Sequence, residues 1–203
     1  MANFTFYEDE IQTGPCSMWL DIAVPATGAY VDLDDQGRPS APGGYHLGYT
    51  RAGARITIET LQSPFEADQS QEASRRLAWT AGCMVEASLL QTAQGGAYFT
   101  LLRRMMPAAA LNVENLTFGG AVAPEASTHT SLIVTWLHTE NQWGKAYAYF
   151  LLYYGRNTAP QSVLNVTRQD AMSLDIQFRG LPLTSRVRSD WYGHFHREAT
   201  PAP

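Results

Sequence analysis

The sequence predicts a mainly β domain built of antiparallel strands, with one helix laid on a sheet face. Three observations carry that expectation. In Gly53–Leu61, Ile56 and Ile58 point one way while Arg55, Thr57 and Glu59 point the other, the pattern of a half-buried strand. Asp170–Arg179 alternates more cleanly, with Met172, Leu174, Ile176 and Phe178 set against Ser173, Asp175, Gln177 and Arg179. Lys145–Tyr154 is apolar on both faces, which suits a strand central in a sandwich or covered by a helix.

The other elements follow in chain order. Residues 1–12 read as an extended arm or edge strand, with Phe4 and Phe6 alternating against Thr5 and Tyr7. Ser17–Val24 is a short apolar strand. Residues 25–48 hold Thr27-Gly28, Asp34-Asp35-Gln36-Gly37 and Pro42-Gly43-Gly44, so they predict a long protruding loop, with a short hairpin around Ala29–Leu33. After the Gly53–Leu61 strand, the polar connection Glu66–Glu72 leads into a second strand, Leu77–Leu90.

In Gly96–Met106, Phe99, Leu102 and Met106 fall at helical spacing. Arg103 and Arg104 sit where the macrodipole favours cations, and Pro107 ends the run. This is the flanking helix. Asn112–Phe118 and Ser131–Leu137 complete the strands, and Thr139–Gly144 and Gly155–Thr158 carry hairpin chemistry. Residues 195–203, ending Thr200-Pro-Ala-Pro203, read as a flexible tail. No linker divides the chain, so residues 1–203 form a single domain.

Composition narrows the function classes. The chain is 45% hydrophobic and 16% charged, below the ~25% charged content of ordinary soluble domains. Low charge fits surface that neighbouring subunits cover. The net charge of −5 is unevenly placed: residues 1–72 hold eleven acids against Arg38, Arg51 and Arg55, a balance of −8, and residues 73–203 balance at +3. A polarised chain of this kind favours head-to-tail contact between identical molecules. Cys16 and Cys83 are too few and too far apart for a disulfide framework or a metal knuckle, and are expected reduced and buried. The first ten residues lack the basic and apolar regions of a signal peptide. The longest apolar run, Ala146–Tyr154, is about half of the ~20 residues a membrane helix needs.

No catalytic, cofactor or metal constellation emerges. His194 and His196 would share one face of a strand, yet no third ligand stands at matching spacing, so they are expected as surface histidines flanking a buried Phe195. Asp32, Asp34, Asp35 and Gly37 lack the order and the closing Glu of a calcium loop and read as a solvated turn. Asp68, Glu72 and Glu86 carry no spacing that marks a glycosidase pair. There is no Gly-x-Ser-x-Gly elbow and no framed phosphate loop. Arg75-Arg76, Arg103-Arg104 and Arg186-x-Arg188 are isolated basic clusters on an acidic chain, against sequence-specific DNA binding. The reading is a protein that is not an enzyme and whose product is a surface.

The order of features resembles the tail tube proteins of long-tailed, siphovirus-like bacteriophages. The likeness runs over about residues 46–192. It begins with Gly48-Tyr-Thr-Arg-Ala-Gly53, the Ile56/Ile58 strand and the acidic Glu66–Gln69 connection, and continues through Leu77–Glu86 to the helix ending at Met106. It closes on Leu174-Asp-Ile-Gln-Phe-Arg-Gly-Leu-Pro182. The 25–48 loop and the segment Trp191–His196 depart from that pattern.

The resemblance implies a β-sandwich or barrel flanked by a helix and assembled as hexameric rings that stack into a tube. Its partners would be other copies of itself, other tail proteins, and double-stranded DNA sliding through the lumen without specific binding. No cofactor and no membrane are implied. The location would be the virion tail, after synthesis in the host cytoplasm. Glu59, Asp68 and Glu86 are the residues expected at the channel or at a ring junction. Two other readings stay open: another virion component (tail terminator, tube cap or capsid decoration protein), and a carbohydrate-binding β-sandwich whose Trp and Tyr stack on sugar.

Overall fold

The computed structural model describes residues 5–12, 15–40, 44–64, 76–90, 109–112, 115–118, 129–158, 164–165, 173–187 and 190–202. They form eleven strands: β1 (Thr5–Gln12), β2 (Cys16–Leu20), β3 (Tyr45–Pro64), β4 (Arg76–Leu90), β5 (Ala109–Asn112), β6 (Asn115–Phe118), β7 (Thr130–Asn141), β8 (Gly144–Asn157), β9 (Leu164–Asn165), β10 (Ser173–Gly180) and β11 (Gly193–Arg197). The expected mainly β, antiparallel architecture is what the chain adopts, in its barrel form. Six strands pair in the order β8-β7-β2-β3-β4-β10, and β10 returns to β8 through Phe178↔Asn157, Arg179↔Arg156 and Gly180↔Gly155. That closes a barrel.

Alternation decides what fills it. Met18, Leu20, Ile56, Val85, Leu89, Leu132, Val134, Phe150, Leu152, Leu174, Ile176 and Phe178 all point inward and are buried, with Cys16 and Cys83 among them. An eight-stranded barrel is just wide enough for side chains to fill, and six strands leave less room. The interior is a packed core rather than a channel.

Two long strands change neighbours partway along, and this shapes the molecule. β3 pairs with β2 over Tyr45–Tyr49 and with β1 over Arg55–Gln62. The switch falls at a bulge between Thr50 and Ala54. There the buried Thr50 hydroxyl accepts the amides of Cys16 and Gly53, each at 3.1 Å, and Gly53 takes a φ of 92° that favours glycine. Beyond the bulge, β1, β3 and the first half of β4 run past the barrel as a three-stranded ribbon, since β10 meets β4 only over Met84–Leu90.

β8 behaves alike, pairing with β11 over Ala148–Leu152 and with β10 from Gly155. Gly155 and Gly180 face each other across that seam. A Cβ on Gly155 would lie 2.6 Å from Leu152 Cδ2, and one on Gly180 would lie 2.8 Å from Leu152 Cδ1. A side chain at either position would crowd Leu152 at this seam.

Several expectations change. Gly155–Thr158 is not a hairpin turn: Gly155–Asn157 is the barrel seam. Of the 25–48 span, Tyr45–Gly48 opens β3, and in the preceding segment Val31 and Leu33 pack on the sheet. Ile22 and Val31 lie buried with Leu33 against Ile133, Tyr149, Leu151 and Tyr153 on the outer face of β7 and β8. Apolar side chains drew it onto the sheet despite its turn-rich composition. The small hairpin is centred later than Ala29–Leu33, with a Leu33↔Pro39 bridge around an Asp34–Arg38 turn. Within the supposed tail 195–203, Phe195–Arg197 belong to β11, and Asn141 Nδ2 donates to Pro201 O at 3.0 Å. Asn112 and Asn115–Phe118 belong to two antiparallel strands, β5 and β6, instead of one. The helix expected over Gly96–Met106 lies outside the described residues.

Candidate functional site

Of the three carboxylates expected at the channel or a ring junction, Asp68 lies outside the described residues. Glu86 projects from β4 on the outer wall of the barrel, and Glu59 projects from β3 where the ribbon leaves it. Strand register sets Arg55, Glu86 and Gln177 in one row across β3, β4 and β10. Gln177 Nε2 donates to Glu86 Oε1 at 2.7 Å, and Arg55 lies 3.8 Å from Oε2. The Glu59 carboxylate lies over Gly82, where a Cβ would come within 2.6 Å of Oε2, and reaches Arg179 at 4.0 Å.

Each of the two acids thus has one guanidinium within 4.0 Å, Arg55 for Glu86 and Arg179 for Glu59, and Asp175 and Arg156 are exposed on the neighbouring strands β10 and β8. The wall mixes both signs: in register, Arg156 stands opposite Arg179 and Glu8 opposite Glu59. Partly exposed ion pairs contribute about 0–1 kcal/mol each.

A second constellation lies across the barrel, on the outer face of β8. Tyr149 and Tyr153 alternate with the core residues of that strand, and β11 brings His194 between them. His194 Nδ1 is 2.8 Å from the Tyr153 hydroxyl and Nε2 is 3.1 Å from the Tyr149 hydroxyl. Tyr149 also accepts the Val31 amide at 2.7 Å, and Tyr153 donates to Asp190 Oδ1 at 2.5 Å. Arg186 pairs with Asp190, donates to the Pro25 carbonyl, and stands 4.1 Å over the Tyr153 ring. Four separate parts of the chain meet here: segment 22–40, β8, the stretch holding Arg186 and Asp190, and β11. The cluster is a clasp.

Burial holds the His194 imidazole below its ordinary pKa, with His196 and Arg186 adding repulsion and Asp190 pulling the other way. Tyr153 is pushed well above the usual phenol range by burial and by the Asp190 carboxylate.

His194 and His196 do share a face, as their spacing implied, but Phe195 between them is 38% exposed and packs on Phe150 at 4.5 Å. The more sheltered member is His194. Both its ring nitrogens are taken by tyrosines, and His196 stacks on Tyr30 with centroids 4.1 Å apart. Among the described residues, no three His, Cys, Asp or Glu side chains are grouped to hold a metal ion. Asp34 accepts the amides of Gln36 and Arg38, each at 2.9 Å, and pairs with Arg38, so the acidic turn satisfies itself.

Two strand edges complete the picture. β1 pairs with β3 alone and β11 with β8 alone, so each has one edge with no strand against it among the described residues. Among the same residues, no helix is long and apolar enough to cross a membrane.

The fold and these surfaces define a closed antiparallel six-stranded barrel with a projecting ribbon. No family model matches the chain, no curated protein matches its sequence, and no solved structure matches its fold.

Proposed function

We propose that this chain is a structural subunit of a bacteriophage virion that joins copies of itself into hexameric rings, which stack into a tail tube conducting DNA. The observation that carries the reading is the β1-β3-β4 ribbon. The ribbon outruns its barrel, and its outer strands, β1 and the Arg76–Cys83 half of β4, each have one edge with no strand against it among the described residues; such an edge is a template for strand addition and is either blunted or used.

Two further features support it. The barrel interior is packed, so any conduit must form between subunits. The net charge of −5 suits a passage through which a polyanion slides without sticking. Glu59 and Glu86 each stand beside a guanidinium, Arg179 and Arg55, which fits a junction between subunits better than the bore, so in this reading those residues stand at a ring junction.

Negative-stain microscopy of the purified protein over rising concentration tests the proposal. Hexameric rings or tubes are the expected result. Rings that never stack would favour a terminator, cap or decoration role, and a monomer at every concentration would refute self-assembly.

A further inference from the structure

We propose that subunits join head to tail by strand addition, β1 of one copy lying antiparallel against β11 of the next. The inference rests on the self-assembling reading above and names the two surfaces that meet.

Position around the barrel is the first argument. β1 hangs on β3 and β11 hangs on β8. In the ring β8-β7-β2-β3-β4-β10, three strand steps separate β8 from β3 in either direction, so the two open edges lie on opposite walls. One molecule cannot bring them together. Two molecules can, and because each still offers the other edge, the contact is heterologous and repeats into a ring or a filament.

Direction is the second. Every pairing on the path from β11 through β8, β7, β2 and β3 to β1 is antiparallel, so β1 and β11 run in opposite senses. Copies in the same orientation then meet antiparallel, as every strand pair in the sheet does. The other open stretch on the ribbon, the Arg76–Cys83 half of β4, is a poorer partner. It runs parallel to β1, and its Ala81 carbonyl already accepts the Tyr192 hydroxyl at 2.9 Å.

Charge is the third. β1 carries Glu8, Asp9 and Glu10 and no base, while β11 carries the Arg197 guanidinium and no acid. Two β1 strands side by side would set carboxylates against carboxylates, which disfavours a symmetric pair. The β11 edge is also held ready. Glu198 closes the end of β11 onto β8 by accepting the Tyr147 amide at 2.7 Å and donating its own amide to Tyr147 O at 3.0 Å, and His194 ties the strand's other end to Tyr149 and Tyr153.

A charge swap tests this. One variant carries Glu8→Lys, Asp9→Lys and Glu10→Lys; the other carries His196→Glu and Arg197→Glu. Each alone should need about tenfold or more protein to assemble, and mixing the two should restore assembly to near the wild-type concentration. Either variant assembling alone like wild type, or no rescue from two variants with native near-UV spectra, overturns the pairing.

Single cysteines in the full chain, Glu10→Cys in one copy and His196→Cys in another, provide a measurement that does not depend on those variants folding. The mixture should give a disulfide dimer that neither gives alone, because Cys16 and Cys83 are buried. Wild-type tubes without that dimer, or with one between Glu10→Cys and Thr80→Cys, would reject the β1–β11 contact and leave the tube reading standing. The β1–β11 dimer with no ring or tube formed would do the reverse.

Discussion

His194 and Tyr153 share a 2.8 Å hydrogen bond whose direction is fixed by the groups around it. Tyr153 gives its own hydrogen to Asp190, so its oxygen accepts from Nδ1 of His194. Nε2 is then bare and accepts from Tyr149, which in turn accepts the Val31 amide. The imidazole is neutral, with its hydrogen on Nδ1. A proton on Nε2 would leave the Tyr149 hydroxyl hydrogen without this acceptor.

Stability should consequently depend on pH through His194. Its folded pKa lies below the ordinary 6.5, so the unfolded chain takes up the proton first. The stabilisation is complete above about pH 6.5 and declines as pH falls from there through the lower folded value. His46, lowered by burial and by Arg38, acts with the same sign. Urea midpoints measured between about pH 7.5 and about pH 5 should fall for wild type and fall less for His194→Gln. Equal declines in the two proteins would remove His194 from the effect.

Tyr153→Phe isolates the hinge of the clasp. It deletes one hydroxyl that serves both Asp190 and His194 while keeping the ring under Arg186. The expected loss is about 1–3 kcal/mol of unfolding free energy, because a partly buried carboxylate and an imidazole each lose a partner. A change in urea midpoint corresponding to under about 0.3 kcal/mol would mean the network is ornamental to stability.

The strands of the barrel were legible because alternation is local. Ile56, Leu174, Ile176 and Phe178 announce their faces within a few residues. Lys145–Tyr154 read as apolar on both sides, and it is indeed covered on both. Its described outer cover, however, is the segments around Val31 and Leu183. What escaped depends on distant partners. β11 is five residues with a Gly, two His and an Arg, and it becomes a strand only because β8 leaves an edge open beyond its seam with β10. Likewise, nothing near His194 announces that Tyr149 and Tyr153, more than forty residues upstream, will take both its nitrogens. The sole local hint was that Tyr149 and Tyr153 sit two turns of alternation apart on one face of β8, each with a hydroxyl that burial obliges to find a partner.

Glu86 offers a test of the outer wall. Glu86→Gln keeps an acceptor for Gln177 and removes only the charge facing Arg55 at 3.8 Å, so it should cost about 0–1 kcal/mol. Glu59→Gln should cost as little, its guanidinium lying 4.0 Å away and largely in water. Thermal melts in low and high salt check both. A loss above about 2 kcal/mol in either would show a desolvated pair, contrary to the exposure of these groups.

The barrel interior predicts how Cys83 reacts. Burial, with the Glu59 charge nearby, pushes its thiol up to about 12, so at neutral pH almost none is thiolate. Cys16 is equally buried, its sulfur 3.2 Å from the Thr50 hydroxyl. Neither should react with a disulfide reagent in the native protein, and both should react together in denaturant.

The seam glycines give the sharpest prediction for closure. A methyl on Gly155 meets Leu152 Cδ2 at 2.6 Å, with the Arg179 carbonyl 3.3 Å away, so Leu152 must leave its rotamer in a packed core. Gly155→Ala should therefore destabilise the fold by about 1–3 kcal/mol. Leu152→Ala alone should cost about 2–5 kcal/mol by opening a cavity. The double variant should cost less than the two losses added, because the smaller side chain at 152 vacates the space the new methyl needs. Simple additivity in urea unfolding of the three variants would mean that Leu152 is not what confines Gly155, and that the seam is held closed by the Arg179 backbone instead.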